Sequence, residues 1–231
     1  MPRRSDPRAR LGARNNADWC AVVARAHGID SSTADGLWRA AAPTPPGYPE
    51  AVTLEPGLDP HQVVAALPPG ATSLKDSFAD LELAPFGFRV LFEARWIALD
   101  GPSRDNSPAE AMAGGIRFER VTSAAELAAW AAAHGNPAAF VPPLLADPAI
   151  VVLGARRSGE FIAGAALNGS EGAVGVSNVF GPPVESHRAA ASNAARRFPG
   201  RIIVGWEPED ELAAALAAGF DDVGPLRVWV R

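Results

Sequence analysis

Cysteine is nearly absent: Cys20 is the only one in 231 residues. One thiol excludes an intramolecular disulfide framework and a cysteine-rich zinc site, and it fits a reducing, cytoplasmic setting. Cys20 lies one position round from Trp19 on a helical pattern, with no base near it, so it reads as a packing residue rather than a nucleophile. Tyrosine is as scarce, with Tyr48 alone. No apolar run reaches the length that spans a bilayer. The four histidines, His27, His61, His134 and His187, show no metal-ligand spacing, so no metal site is expected. Gly-x-Ser-x-Gly, Walker and dinucleotide fingerprints are all missing. The formal net charge of -5 gives no general attraction to nucleic acid or to a membrane surface.

What is present fits a folded chain with a sizeable core: 48% of residues are hydrophobic and 20% charged. The abundance of alanine and arginine reads as a bacterial-like compositional bias. Residues 1–14, MPRRSDPRARLGAR, carry five arginines with no apolar segment behind them, and are expected to form a disordered, solvated tail. Residues 15–100 are expected to form an N-terminal α/β subdomain. Asn15–His27 reads as a helix with Trp19, Val22, Val23 and Ala26 on one face. Ser32–Ala42 reads as a second helix, stopped by Pro43, Pro45 and Pro46. A short strand within Tyr48–Leu54 and a helix over Pro60–Leu67 follow. Residues 86–98 alternate as a strand, with Phe86, Phe88, Phe92 and Trp96 on the side expected to be buried. Residues 101–115 are rich in turn formers and read as a linker.

Residues 116–231 change character. A strand at Ile116–Val121 leads to a helix whose Ser123 and Glu126 have capping-box spacing, and Gly135 ends it. Strands at Ile150–Gly154, Glu160–Leu167 and Ala173–Phe180 form a meander. Helix Glu185–Phe198, strand Arg201–Trp206, helix Glu209–Ala218 and strand Leu226–Val230 then alternate, which predicts a mixed sheet in an α/β (α+β) fold.

This order, together with Leu216-Ala217-Ala218-Gly219-Phe220 before the last strand, resembles the GNAT acyltransferases. In that family the last helix commonly ends in Gly-Phe; the glycine makes a left-handed cap and Phe220 packs the strand on the core. The resemblance covers about half the chain and implies a GNAT-like acyl-CoA N-acyltransferase fold carrying an N-terminal α/β extension. It implies acetyl-CoA as cofactor, held by a loop at a helix N-terminus after the fourth strand. Carried onto this sequence, the cofactor-binding positions are Val179, Phe180, Gly181, Ser186, His187 and Arg188. Pro182 and Pro183 remove two N–H donors from this loop, and Glu185 adds a negative charge. Asn178, His187 and Glu207 are the catalytic candidates, near the ends of the fourth and fifth strands. Family members often protonate the leaving thiolate with a tyrosine on the last helix; helix Glu209–Ala218 has none, and Tyr48 lies far upstream.

Two functional readings stay open at this point. One is an N-acetyltransferase acting on a small-molecule amine or a protein. The other is a GNAT-like domain without catalysis that binds a ligand or a protein partner. A further expectation is a homodimer paired through the apolar strand Arg227–Arg231 as an exposed edge. Finally, Leu83-Ala84-Pro85-Phe86-Gly87-Phe88 followed by Trp96 echoes Leu216–Phe220 followed by Trp229, as a tandem arrangement would.

Overall fold

The computed structural model describes residues 6–101 and 117–231. Apart from Gly101, the expected linker lies outside the described residues. The first half contributes helix α1 (Pro7–Ala26), strands β1 (Ser31–Ala34), β2 (Leu37–Ala40) and β3 (Ala51–Thr53), helix α2 (Pro60–Ala66), strand β4 (Ser73–Asp76), a 3-10 turn at Ala84–Phe86, and strand β5 (Arg89–Leu99). The second half contributes β6 (Glu119–Arg120), α3 (Ala124–His134), a 3-10 turn at Pro142–Ala146, and the meander β7 (Ile150–Arg157), β8 (Glu160–Ser170) and β9 (Ala173–Phe180). Helix α4 (Pro183–Arg197), β10 (Ile202–Pro208), α5 (Leu212–Ala217) and β11 (Asp221–Val230) complete it. The mixed α/β organisation is the one expected, and the capping box of Ser123 and Glu126 is present at α3.

Two expected features are corrected. Residues 7–14 are not a tail but the first two turns of α1. Asp6 caps the helix, Pro7 sits in its first turn, and Arg8, Arg10 and Arg14 pair with acids distant in sequence. Arg8 reaches Asp221 at 2.8 Å, and Arg10 and Arg14 both pair with Glu55. Ala9 and Ala13 are buried against the sheet, and at Gly12 a Cβ would come 2.8 Å from the Trp96 ring. Ser32–Ala42 is likewise not a helix: β1 and β2 form a hairpin whose turn residues Asp35 and Gly36 have φ of 51° and 75°. Two consecutive left-handed residues are a hairpin-turn geometry that no right-handed helix accommodates.

Among the described residues all eleven strands form one sheet in the order β1-β2-β3-β4-β11-β5-β10-β9-β8-β7-β6. The order is nearly palindromic. Parallel strands β3 and β4 flank α2, and parallel strands β9 and β10 flank α4. Strand β5 then pairs with β10, and β11 pairs with β4, so each half lends its last strand to the other. The lent strands pair antiparallel at the centre. The two Gly-Phe turns introduce them: Gly87 and Gly219 have φ of 83° and 105°. Arg227–Val230 is therefore flanked by β4 and β5 and is no edge, which removes the stated ground for pairing two copies through it.

Strand alternation separates two helix layers. Helix α1 packs Ala9 and Ala13 with Ala94, Trp96, Ala98 and Val204. Helix α4 packs with Ile97, Val174, Val176 and Ile203, which point to the opposite face. No helix among the described residues is long and apolar enough to cross a membrane.

A reciprocal amide pair pins α1 to the second half. Asn15 Nδ2 donates to the Asn168 carbonyl and Asn168 Nδ2 to the Asn15 carbonyl, each at 3.0 Å and buried. Gly175 lies beneath the pair, and a Cβ there would come 2.0 Å from Asn15 Oδ1 and 2.2 Å from Asn168 Oδ1. Gly175→Ala is therefore expected to destabilise the fold by about 3 kcal/mol, from overpacking plus the loss of buried hydrogen bonds. Urea unfolding of both chains checks this; an unchanged midpoint would show that α1 docks more loosely than the geometry implies.

Candidate functional site

Strands β9 and β10 are paired only over Ala173–Gly175 and Ile202–Val204. After that, β9 bulges. Asn178 takes φ 53°, and the β8–β9 register shifts so that Asn178 and Val179 have no partner on β8. Strand β10 instead follows β5 as far as Pro208. The two strands part, and a cavity of about 290 Å³ opens at their ends. Its walls are Ser177, Asn178 and Val179 from β9, and Trp206, Glu207 and Pro208 from β10. Glu211, three residues of α1 (Asn16, Trp19, Cys20), the Gly47–Pro49 segment, Lys75 and His134 close it.

The three catalytic candidates are brought close, in unequal ways. Asn178 and Glu207 line the cavity, and Asn178 Nδ2 donates to Ser177 Oγ at 2.9 Å. His187 stands behind Glu207, buried in α4, with its Nε2 2.8 Å from Glu207 Oε1. Its Nδ1 is 2.8 Å from the Pro183 carbonyl. A carbonyl and a carboxylate both accept, so the two contacts favour the charged, doubly donating form of His187. Burial pulls its pKa down, but the hydrogen bond and charge of Glu207, with the Pro183 carbonyl, outweigh that and raise it. Glu211 is pushed up from the usual carboxylate range by burial and by the charges of Glu207 and Asp210.

The expected cofactor positions are distributed more widely. Val179 lines the cavity. Phe180 packs edge-on against Trp130 at 5.3 Å between centroids. Gly181 has φ 102°, and a Cβ there would meet Ala163 at 2.5 Å, so it is a packing glycine. Ser186 is buried, its Oγ without a hydrogen-bond partner among the described residues. Arg188 is exposed and donates to the Ala217 carbonyl at 2.8 Å, which caps α5. Helix α4 begins at Pro183 with Pro182 as its cap, so Val184 and Glu185 carry the N–H groups open at that end.

Sequence reasoning missed what the first half brings. The chain's only cysteine, only tyrosine and only lysine all line this one cavity. Burial pushes the Cys20 thiol up to about 11, in spite of the nearby Lys75 charge. Burial also raises Tyr48, whose hydroxyl accepts from Trp19 Nε1 at 3.2 Å. Burial lowers Lys75 to about 8. Its Nζ lies 4.1 Å from the Trp206 ring centroid and 5.9 Å from that of Trp96. Among the described residues no carboxylate pairs with it. The uniqueness of Tyr48 and Lys75 was the only signal that could have marked them.

Two further polar atoms on the cavity wall, Asn16 Oδ1 and His134 Nδ1, are buried without partners among the described residues. His134 stacks on Trp130 at 5.3 Å and 12°, and burial lowers its pKa. No group of three His, Cys, Asp or Glu side chains among the described residues is placed to hold a metal ion.

No family model matches the sequence, and no curated protein does. Solved structures do match in fold. A GCN5-related N-acetyltransferase from Kribbella flavida is 19% identical, with 95% of each chain covered and a TM-score of 0.58. A GNAT-family protein from Novosphingobium aromaticivorans is 17% identical, covering 95% of this chain and 98% of that one, with a TM-score of 0.57. The chain therefore has the GNAT fold, and the match runs through both halves rather than the second alone.

Proposed function

We propose that the protein transfers an acyl group from acetyl-CoA to an amine, in the cavity where β9 and β10 part. The observation that carries this reading is the gap itself, with the Glu207 carboxylate on one wall and the half-buried Tyr48 phenol on another. Acetyl-CoA would supply the thioester, whose acyl carbon the amine attacks as the thiol leaves. The residues present fit that end of the molecule. Asn178 and Val179 stand out of register with β8 at the bulge, where a backbone N–H turned to the gap would receive the thioester carbonyl oxygen. Glu207 is the base that takes the amine's proton, held in place by its contact with His187 Nε2. Tyr48 stays protonated because burial raises its pKa, so it has a proton to give to the departing sulfur.

The fit is poorer at the phosphate end. Val184 and Glu185 offer two N–H groups at the start of a fifteen-residue helix, whose dipole favours an anion. The exposed Glu185 carboxylate opposes it. Acetyl-CoA is therefore expected to bind weakly, and Glu185→Lys is expected to tighten it about fivefold, less so at high salt. Calorimetric titration of both chains with acetyl-CoA tests this. Saturable binding that ignores the substitution would move the phosphates away from α4. No binding at millimolar acetyl-CoA by either chain would discard acyl transfer in favour of a ligand- or protein-binding module.

A further inference from the structure

Lys75 is out of place by every ordinary rule of burial. Lysine is seldom buried unless paired. None of the arginines among the described residues is buried, yet the chain's one lysine comes from β4 into the cavity wall. It is 4% exposed and rests on the face of Trp206. An unpaired cation in such a place costs stability, and nothing in the fold uses it: no carboxylate pairs with it among the described residues. Glu207 and Glu211 line the same cavity, Glu207 on the opposite sheet face from Trp206 by strand alternation. The space thus has an anionic end and a cationic end. Asn16 Oδ1 and His134 Nδ1 add buried polar atoms without partners among the described residues. At about 290 Å³ it lies at the small end of ligand pockets.

We propose that the acceptor of this site is a small amino carboxylate, a free amino acid or close analogue, whose carboxylate pairs with Lys75 while its amine faces Glu207. The amine half of this assignment rests on the acyl-transfer reading; the carboxylate half does not. Lysine suits the task better than arginine here. Its ammonium is a compact point charge, whereas a guanidinium would need a wider planar slot. The aromatic faces hold the cation without neutralising it, so the charge stays available to a ligand.

The full-length protein is titrated with the twenty standard amino acids, the corresponding amino amides, and simple alkylamines, with and without CoA. At least one amino acid is expected to bind, with its amide at least tenfold weaker. Lys75→Met should remove that preference while leaving the fold intact by circular dichroism. At pH 8.5 binding should take up protons, seen as a dependence of the heat on buffer ionisation, because a bound carboxylate restores the charge of Lys75. The other titratable groups lining the cavity with Lys75 are Cys20 on α1, Tyr48, His134 on α3, Glu207 on β10 and Glu211 beyond it, so a Cys20→Ala chain is titrated alongside and should show the same proton uptake. The proposal is overturned if no amino acid binds, if amides bind as well as acids, or if Lys75→Met keeps the preference. It is also overturned if incubation with acetyl-CoA acetylates Lys75, since the lysine would then be an acceptor itself. Intact-mass and peptide analysis read this cleanly in a chain with one lysine. Acetyl-CoA binding is scored separately, so failure of the acyl-transfer reading leaves the carboxylate result standing or falling alone.

Discussion

Glu207→Gln is expected to slow acyl transfer about 10²–10³-fold, with acetyl-CoA affinity little changed. The substitution keeps the shape of the side chain and an oxygen for His187 Nε2, 2.8 Å away in the parent. What it removes is the negative charge that accepts the amine's proton. It also removes the influence that holds His187 charged. With the carboxylate gone, only the Pro183 carbonyl and the Glu211 charge still oppose burial, so the His187 pKa falls. The loss should therefore fall on kcat rather than on KM for acetyl-CoA. Steady-state kinetics with a saturating amine decides it. A rate within threefold of the parent would show that Glu207 is a helix anchor for His187 and that the base lies elsewhere.

Lys75→Met should make the protein more stable at neutral pH, by on the order of 3 kcal/mol. Burial lowers the Lys75 pKa to about 8 from an ordinary value of 10.5. Below pH 8 both folded and unfolded chains hold this proton, and the folded state bears the full cost of an unpaired buried cation. Between 8 and 10.5 the unfolded chain holds it and the folded chain releases it. Stability from this group therefore rises with pH across that window and is flat above it. Cys20 acts in the opposite sense. Its thiol is raised to about 11 from 9.0, so it weakens the fold as pH climbs between those values. The clean comparison is thus the difference between the two chains. The advantage of methionine should be largest at pH 7 and nearly gone by pH 10.5, measured by urea unfolding along a pH series. An NMR titration of isotope-labelled lysine gives the same pKa directly, since only one resonance exists. A midpoint near 10.5 would mean that solvent or a counter-ion already satisfies Lys75, and no stabilisation should then be seen.

The second half was largely legible because its elements announce themselves locally. Ser123 and Glu126 cap α3, Ser158 and Gly159 turn the β7–β8 hairpin, and Gly219-Phe220 ends α5 in the left-handed conformation. The first half was legible where proline and aspartate mark a helix start, as at Asp59-Pro60 of α2. It failed at β1–β2, where the short residues of Ser31–Ala34 carry no periodic signal and the Asp35-Gly36 turn holds the information. Strand β4 was missed altogether. Leu74, Lys75 and Asp76 are all buried, so no alternation survives, and a lysine disguises the strand further. At the site, the family resemblance put Asn178 and Glu207 near the ends of two strands, and both line the cavity where β9 and β10 part. The His187–Glu207 bond, which crosses from α4 to β10, depends on packing that no local pattern records. Tyr48 and Lys75 were beyond reach for a related reason: the lent strands bring them to a cavity whose other wall is more than a hundred residues away.

The exchange of β5 and β11 also shapes how the protein must be made. Arg95 meets Asp222 across 127 residues, and Arg227 meets Glu93 across 134. During synthesis the first half emerges with β4 and β5 complete but without their neighbours β10 and β11. For that interval it presents open strand edges, and Val90 and Leu91 stay exposed even in the finished fold. Closing the sheet centre waits on the last two strands, a long-range step that is slow by topology. Expression yield should therefore depend more on elongation rate and chaperone supply than on the stability of the finished molecule.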